Sequence, residues 1–133
     1  VEDLGLYVAV GRSGTNRIAY NENLSTSWTY TGDGTEVFYS LTYSPSLKLI
    51  VAVGYNATDN VMYSKNAVNW TKITVEDSNW ADVTWAEDIG MFLAVGVSLP
   101  LLGFLSTSLI LLRKLDNEAP ILAVQNTPPT AHD

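Results

Sequence analysis

His132 is the only histidine of the chain, one place from its end, and cysteine is absent. These two facts remove the histidine-centred triad and the thiolate or histidine-rich metal centre from the available chemistry. Asp33-Gly34 and Glu76-Asp77 are acidic turns whose oxygens could hold a cation, but no Asp-x-Asp-x-Asp-Gly loop accompanies them. Gly11-Arg12-Ser13-Gly14 has the glycines of a phosphate loop without its Gly-Lys-Ser/Thr ending or a following helix, so a β-hairpin turn is the better account. Glu22, Glu36 and Glu76 each sit near a tyrosine or tryptophan, a spacing that by itself establishes no catalytic pair. What remains is the chemistry of recognition. Tyr30, Tyr55, Trp80 and Trp85 offer flat faces on which a sugar ring or a peptide can stack. Arg12, Arg17, Tyr55 and Asp59 fall in two loops, near 12–17 and 55–60, that could present them to a ligand or partner. No catalytic residue, cofactor or metal is expected.

These residues are carried by a repeat. Leu6-Tyr7-Val8-Ala9-Val10-Gly11 returns as Leu49-Ile50-Val51-Ala52-Val53-Gly54 and again as Met91-Phe92-Leu93-Ala94-Val95-Gly96, in steps of 43 and 42 residues. A period of that length implies stacked supersecondary units, none of which buries its apolar face alone. The likeness extends outward to Leu41-Thr42-Tyr43 against Val83-Thr84-Trp85, and to Ser27-Trp28-Thr29 against Asn69-Trp70-Thr71. The third copy is worn: Trp70-Thr71-Lys72 becomes Leu112-Arg113-Lys114 at the same step.

Each apolar run is short, rich in β-branched or aromatic residues and bounded by Gly, Asn, Asp, Ser or Pro, which is the signature of strands. The second copy predicts strands at about 37–43, 48–54, 60–64 and 69–74. The third predicts them at about 79–85, 91–96, 102–106 and 110–115. The first copy lacks its opening strand, and a strand at 121–125 would open a further unit. Simple alternation predicts Val37, Tyr39, Leu41 and Tyr43 on one face against Phe38, Ser40 and Thr42. It likewise sets Asn79, Ala81, Val83 and Trp85 against Trp80, Asp82 and Thr84. Four antiparallel strands in about 42 residues is the size of one β-propeller blade. The expected fold is therefore all-β, a β-propeller-like repeat of about three four-stranded antiparallel blades (about 5–35, 36–77 and 78–118) in an open arc. Residues 1–125 form the repeat region and 126–133 a linker or disordered tail.

Tyr63-Ser64-Lys65-Asn66-Ala67-Val68-Asn69-Trp70-Thr71 resembles the Asp-box (Ser-x-Asp-Gly-x-x-Trp-Thr) of sialidase-like BNR propellers, and Asn21 through Thr29 is a looser match. A Val-Ala-Val-Gly strand before such a box is similar to repeats in tail and capsid-associated proteins of phages and large DNA viruses. The resemblance covers roughly residues 5–115. It implies a structural turn between the last two strands of a blade, with Ser64 and Asn66 in the second copy and Asn23 in the first bonding turn backbone, and Trp28 and Trp70 packing between blades. Asn66 and Asn23 replace the aspartate of the motif and Ala67 its glycine; an Asn can make the same Asx turn. A sialidase-type site would need an arginine cluster, a Tyr–Glu nucleophile pair and an acid–base Asp. Here Arg12 and Arg17 share one loop while Arg113 lies on a degenerate strand.

The 133 residues suffice for one domain with a real core but not for a ring of about four to eight blades. Three blades leave exposed edges that invite pairing with another chain. The expectation is a fragment of a longer protein, a subunit of an oligomer or a part of a larger assembly. A net charge of −7 with scattered basic residues argues against nucleic acid as a partner. Ile89 to Leu112 carries no charge and precedes Arg113-Lys114, but Pro100 and its glycine and hydroxyl residues argue against a membrane span. The functional expectation is a non-enzymatic structural or binding module, a virus or phage particle component located on a virion or extracellular surface, with other protein subunits as partners. The alternatives are a carbohydrate-binding module that takes glycans, a protein-assembly factor and, remotely, a sialidase-like hydrolase.

Overall fold

The computed structural model of the chain describes residues 1–24, 27–31, 37–55, 61–73, 75, 79–98, 106–114 and 120–126. Its regular elements are β-strands and two short 3-10 turns. A first sheet contains β1 (Tyr7–Val10), β2 (Ile18–Asn21) and β3 (Thr29–Thr31) in that order. A second contains β4 (Val37–Ser44), β5 (Leu49–Tyr55), β6 (Val61–Ser64) and β7 (Thr71–Ile73), again in chain order. A third runs through β8 (Asn79–Ala86), β9 (Met91–Ser98), β10 (Ser106–Lys114) and β11 (Pro120–Asn126). All strand pairs are antiparallel, so each sheet is a meander.

The second sheet is the middle layer, and its side chains alternate between two cores. Leu49, Val51, Val53 and Val61 pack with Trp80, Val83, Phe92 and Ala94 of the third sheet. Ala52, Met62 and Phe38 pack with Ile18 of the first sheet, and half-buried Val10, Leu41 and Trp70 close around them. A strand buried on both faces reads as one apolar run, which is why Leu49–Tyr55 shows no polar alternation. Removing each of these valines from water contributes about 1.5–3 kcal/mol.

Every apolar hexamer is entered by a turn with one left-handed residue: Gly5 (φ 61°), Lys48 (φ 50°) and Gly90 (φ 63°). Glu2–Leu4 and Glu87–Ile89 are matching 3-10 turns closed by these glycines. Lys48 occupies the same conformation in a turn that Ser44 holds by accepting the Leu47 N–H at 3.0 Å. The two turns share a sequence pattern, Glu2-Asp3-Leu4-Gly5 against Glu87-Asp88-Ile89-Gly90, two repeats apart.

Two expectations are corrected. Simple alternation fails along the first strand of the second and third sheets, because each contains a bulge. The ladder slips between Phe38 and Ser40 and, one repeat later, between Trp80 and Asp82. The extra residues are Tyr39 and Ala81. Beyond each bulge the faces exchange, so Trp80 and Val83 share one core and Phe38 and Leu41 the other. The second correction concerns the third sheet. Strands at 102–106 and 110–115 were expected, but one strand, β10, covers Ser106–Lys114. No Gly, Pro, Asn or Asp interrupts that stretch, whereas Asp116, Asn117 and Pro120 follow it. The strand expected at 121–125 to open another unit is β11, which pairs with β10 as the fourth strand of the third sheet. Within 89–112, β9 and β10 form an antiparallel pair, and no helix among the described residues is long and apolar enough to cross a membrane.

Candidate functional site

The two bulges lie at corresponding ends of neighbouring sheets, and the glycine closing each hexamer makes room for them. A Cβ on Gly54 would collide with the Val37 carbonyl and lie 2.9 Å from Phe38 Cα. On Gly96 it would lie 2.6 Å from the Asn79 carbonyl oxygen and 2.9 Å from Trp80 Cε3. These glycines therefore serve close approach of the bulged strand rather than a special φ.

Beside the bulges is a cleft of about 300 Å³ lined by Tyr39, Tyr55, Asn79, Trp80 and Ala81. Tyr39 is pushed outward by the bulge and stays 43 % exposed; Tyr55, just past Gly54, is 38 % exposed. The Arg12 guanidinium stands 5.6 Å from the Tyr39 ring centroid, within cation–π range. Trp80 is fully buried and supplies apolar wall, and its indole Nε1 has no partner among the described residues. The cleft thus joins two exposed phenols, an amide and an apolar floor.

Of the residues singled out by sequence, Arg12 and Tyr55 meet around this cleft through Tyr39. Arg17 does not join them: its Nε donates to the Gly14 carbonyl at 2.9 Å inside the β1–β2 hairpin, whose base is closed by Gly11 N to Arg17 O at 2.7 Å. Asp59 lies outside the described residues, as do Asp33-Gly34 and Glu76-Asp77; of the expected tail 126–133, Asn126 is instead the last residue of β11 and 127–133 lie outside the described residues. Tyr30 is 56 % exposed away from the cleft, and Trp85 packs on Phe92 with ring centroids 4.7 Å apart while its Nε1 donates to Glu87. Sequence reasoning missed Tyr39; the available signal was a glycine inside a strand, which marks a bulge on the partner.

The turn residues form a separate, structural constellation. Asn66 Oδ1 accepts the N–H groups of Val68 (3.0 Å) and Asn69 (2.9 Å), while buried Ser64 accepts the Asn66 N–H at 3.2 Å. Ala67, where the Asp-box has glycine, is buried at φ 61°. Its carbonyl accepts from Trp70 Nε1 at 2.9 Å and from Thr31 Oγ1 of β3 at 3.3 Å, so the turn is tied to the preceding sheet. In the first repeat buried Asn21 takes the place of Ser64. Its Oδ1 accepts the Asn23 N–H at 2.7 Å, and its Nδ2 donates to Ser27 O at 3.2 Å. Leu24 repeats the positive φ of Ala67, and Trp28 is half-buried.

Adjacent sheets are stitched along their first strands. Ser40 Oγ donates to Asp82 Oδ1 at 2.6 Å, and the Val83 N–H reaches Ser40 Oγ at 3.3 Å. Phe38 N donates to Gly11 O at 3.3 Å, and Tyr43 Oη to Asp3 Oδ2 at 2.9 Å. Partial burial, then the bond to Asp3 and its negative charge, raise the Tyr43 phenol above its ordinary pKa. No group of three or more His, Cys, Asp or Glu side chains suited to a metal occurs among the described residues. No protein-family model, curated protein or solved structure matches the chain.

Proposed function

We propose that this chain is a non-enzymatic display module of β-propeller-type blades, in which stacked sheets hold a recognition cleft rigidly at their bulged ends. The observation that carries the reading is the Ser40–Asp82 hydrogen bond between residues 42 positions apart. Corresponding first strands touch, whereas the last strand of the first sheet meets the next repeat at a different position, Thr31 to Ala67. That pattern supports a fan of blades gathered at their first strands. The side-chain-bonded turn at Ser64–Trp70 supports the Asp-box likeness, and with it a place as a virus or phage particle component. Its partners are then other protein subunits. Co-purification tests this: a particle component sediments with particles at fixed stoichiometry, and a chain recovered only in the free fraction would overturn it.

The cleft favours a second reading, glycan binding, in which Tyr39 or Tyr55 stacks on a sugar ring and Asn79 meets its hydroxyls. A glycan array with the module presented multivalently tests it. Binding that disappears in Tyr39→Ala and Tyr55→Ala supports the lectin reading, and an empty array removes it.

A further inference from the structure

Each seam between neighbouring sheets brings together two corresponding residues: the one after a hexamer's glycine and the one inserted by the next sheet's bulge. In the first seam they are Arg12 and Tyr39, and the guanidinium stands against the ring. In the second they are Tyr55 and Ala81, both of which line the cleft. At the bulge position, then, the first seam carries a tyrosine ring and the second only a methyl group. The cleft is the space that a second such ring would take, and exposed Tyr39 and Tyr55 border it.

Size and surroundings narrow the occupant. At about 300 Å³ the cleft lies at the lower end of ligand pockets, which run from about 300 to 1,000 Å³, so it suits one ring rather than an extended chain. Ala81 and buried Trp80 make its wall apolar, and the two phenols offer faces and edges to a further aromatic ring. Aromatic side chains seated in such pockets anchor protein interfaces. Charge selects further. The chain carries a net −7, yet the β1–β2 hairpin from Gly11 to Ile18 holds Arg12 and Arg17 and no acidic residue. Arg12 is exposed, and among the described residues no carboxylate pairs with it. Its planar fork of N–H donors matches a carboxylate.

We infer, resting on the reading of the chain as a display module, that this cleft is the anchor pocket for an aromatic side chain of a protein partner, with Arg12 pairing with an acidic residue beside that side chain. The partner's ring takes in the second seam the place that Tyr39 takes in the first. Its acidic neighbour supplies the counter-charge that the described residues do not give Arg12.

The probe is a capped pentapeptide with a central tyrosine flanked by glutamates. It is titrated into the whole chain and followed by the amide signals of Asn79 and Ala81 and the indole N–H of Trp80. Saturable shifts at all three are expected. Ala81→Tyr supplies the ring from the chain itself and should weaken binding about tenfold or more. Tyr55→Ala, which leaves the bulge untouched, should weaken it as well. Arg12→Gln should weaken the glutamate-flanked peptide about fivefold and leave a glutamine-flanked one unchanged. No saturable shift, binding that survives both Ala81→Tyr and Tyr55→Ala, or equal weakening of the two peptides by Arg12→Gln overturns the proposal. A glycan that binds where the peptide does not also overturns it and assigns the cleft to sugar. A chain that sediments with particles yet ignores the peptide keeps the display reading and loses this pocket, so the two fail separately.

Discussion

Val8-Ala9-Val10-Gly11 and Val51-Ala52-Val53-Gly54 are the same four residues in two surroundings. In the second sheet they are sealed on both faces and flanked on both edges, with Val51, Ala52 and Val53 at 0 % exposure. In the first sheet Ala9 is exposed, and Val8 and Val10 are only half-buried. Identical side chains with identical strand propensity therefore contribute differently, because burial and close approach are properties of neighbours. What the tetrapeptide encodes is a shape compatible with burial; the adjoining strand and sheet determine how much of it is used.

The largest effect should fall on the glycine. Gly54→Ala places a methyl group against the backbone of Val37 and Phe38, neither of which can rotate away. Urea denaturation should show a loss of about 3 kcal/mol or more, or failure to fold. Gly11→Ala should stay within about 0.5 kcal/mol of the parent. Equal losses at the two sites would break the comparison, because Gly11 would then have an unrecognised close neighbour.

The valines sharpen the same contrast with a smaller step. Val51→Ala removes buried methyl groups from the core shared with Trp80 and Phe92, an expected loss of about 2 kcal/mol. Val8→Ala should cost less than about 1 kcal/mol. Thermal or urea unfolding reads both, and a Val8→Ala loss matching that of Val51→Ala would mean that β1 is covered in solution.

The same pair of sheets shows what could be read in advance. The repeat, the strand character and the boundaries of β4 to β7 were legible because apolar runs and turn residues are local signals. The bulges were not, since Tyr39 and Ala81 have nothing unusual about them; only the opposing glycines report the extra residue. Keeping the 42-residue step through the third copy misplaced β10, where an uninterrupted run of strand formers overrides the inherited spacing. For the cleft, Arg12 and Tyr55 were legible as loop-end residues, but Tyr39 depends on the bulge. Trp80, an apparent binding aromatic, is core because the bulge turns it inward.

The turns separate the repeats by another increment. Asn66→Ala strips two backbone N–H groups of their acceptor and should cost about 1–2 kcal/mol, while Asn66→Asp keeps both bonds and should change stability by less than about 0.5 kcal/mol. Ala67→Gly relieves a left-handed residue and should gain about 0.5 kcal/mol, the strain released outweighing the extra unfolded-state entropy and the lost methyl contact. A loss at Ala67→Gly would show that its methyl group packs better than the backbone is strained.

The smallest effect concerns the seam between the two repeats. Tyr43 donates to Asp3 across it, whereas Trp85, one repeat later, donates to Glu87 and cannot ionise. Burial and the carboxylate favour the neutral phenol, so the folded pKa lies above the unfolded value of about 10. The contribution is therefore fully present below the unfolded value and is lost as pH rises through the folded one, where a phenolate would face Asp3. Ultraviolet difference titration should show a tyrosine component ionising above the ordinary phenol value, and Tyr43→Phe should remove that component together with part of the alkaline loss of stability. If Tyr43 titrates at the ordinary phenol value, the Asp3 contact does not hold the first seam, and the two repeats meet through their apolar faces and the Phe38–Gly11 and Thr31–Ala67 bonds instead.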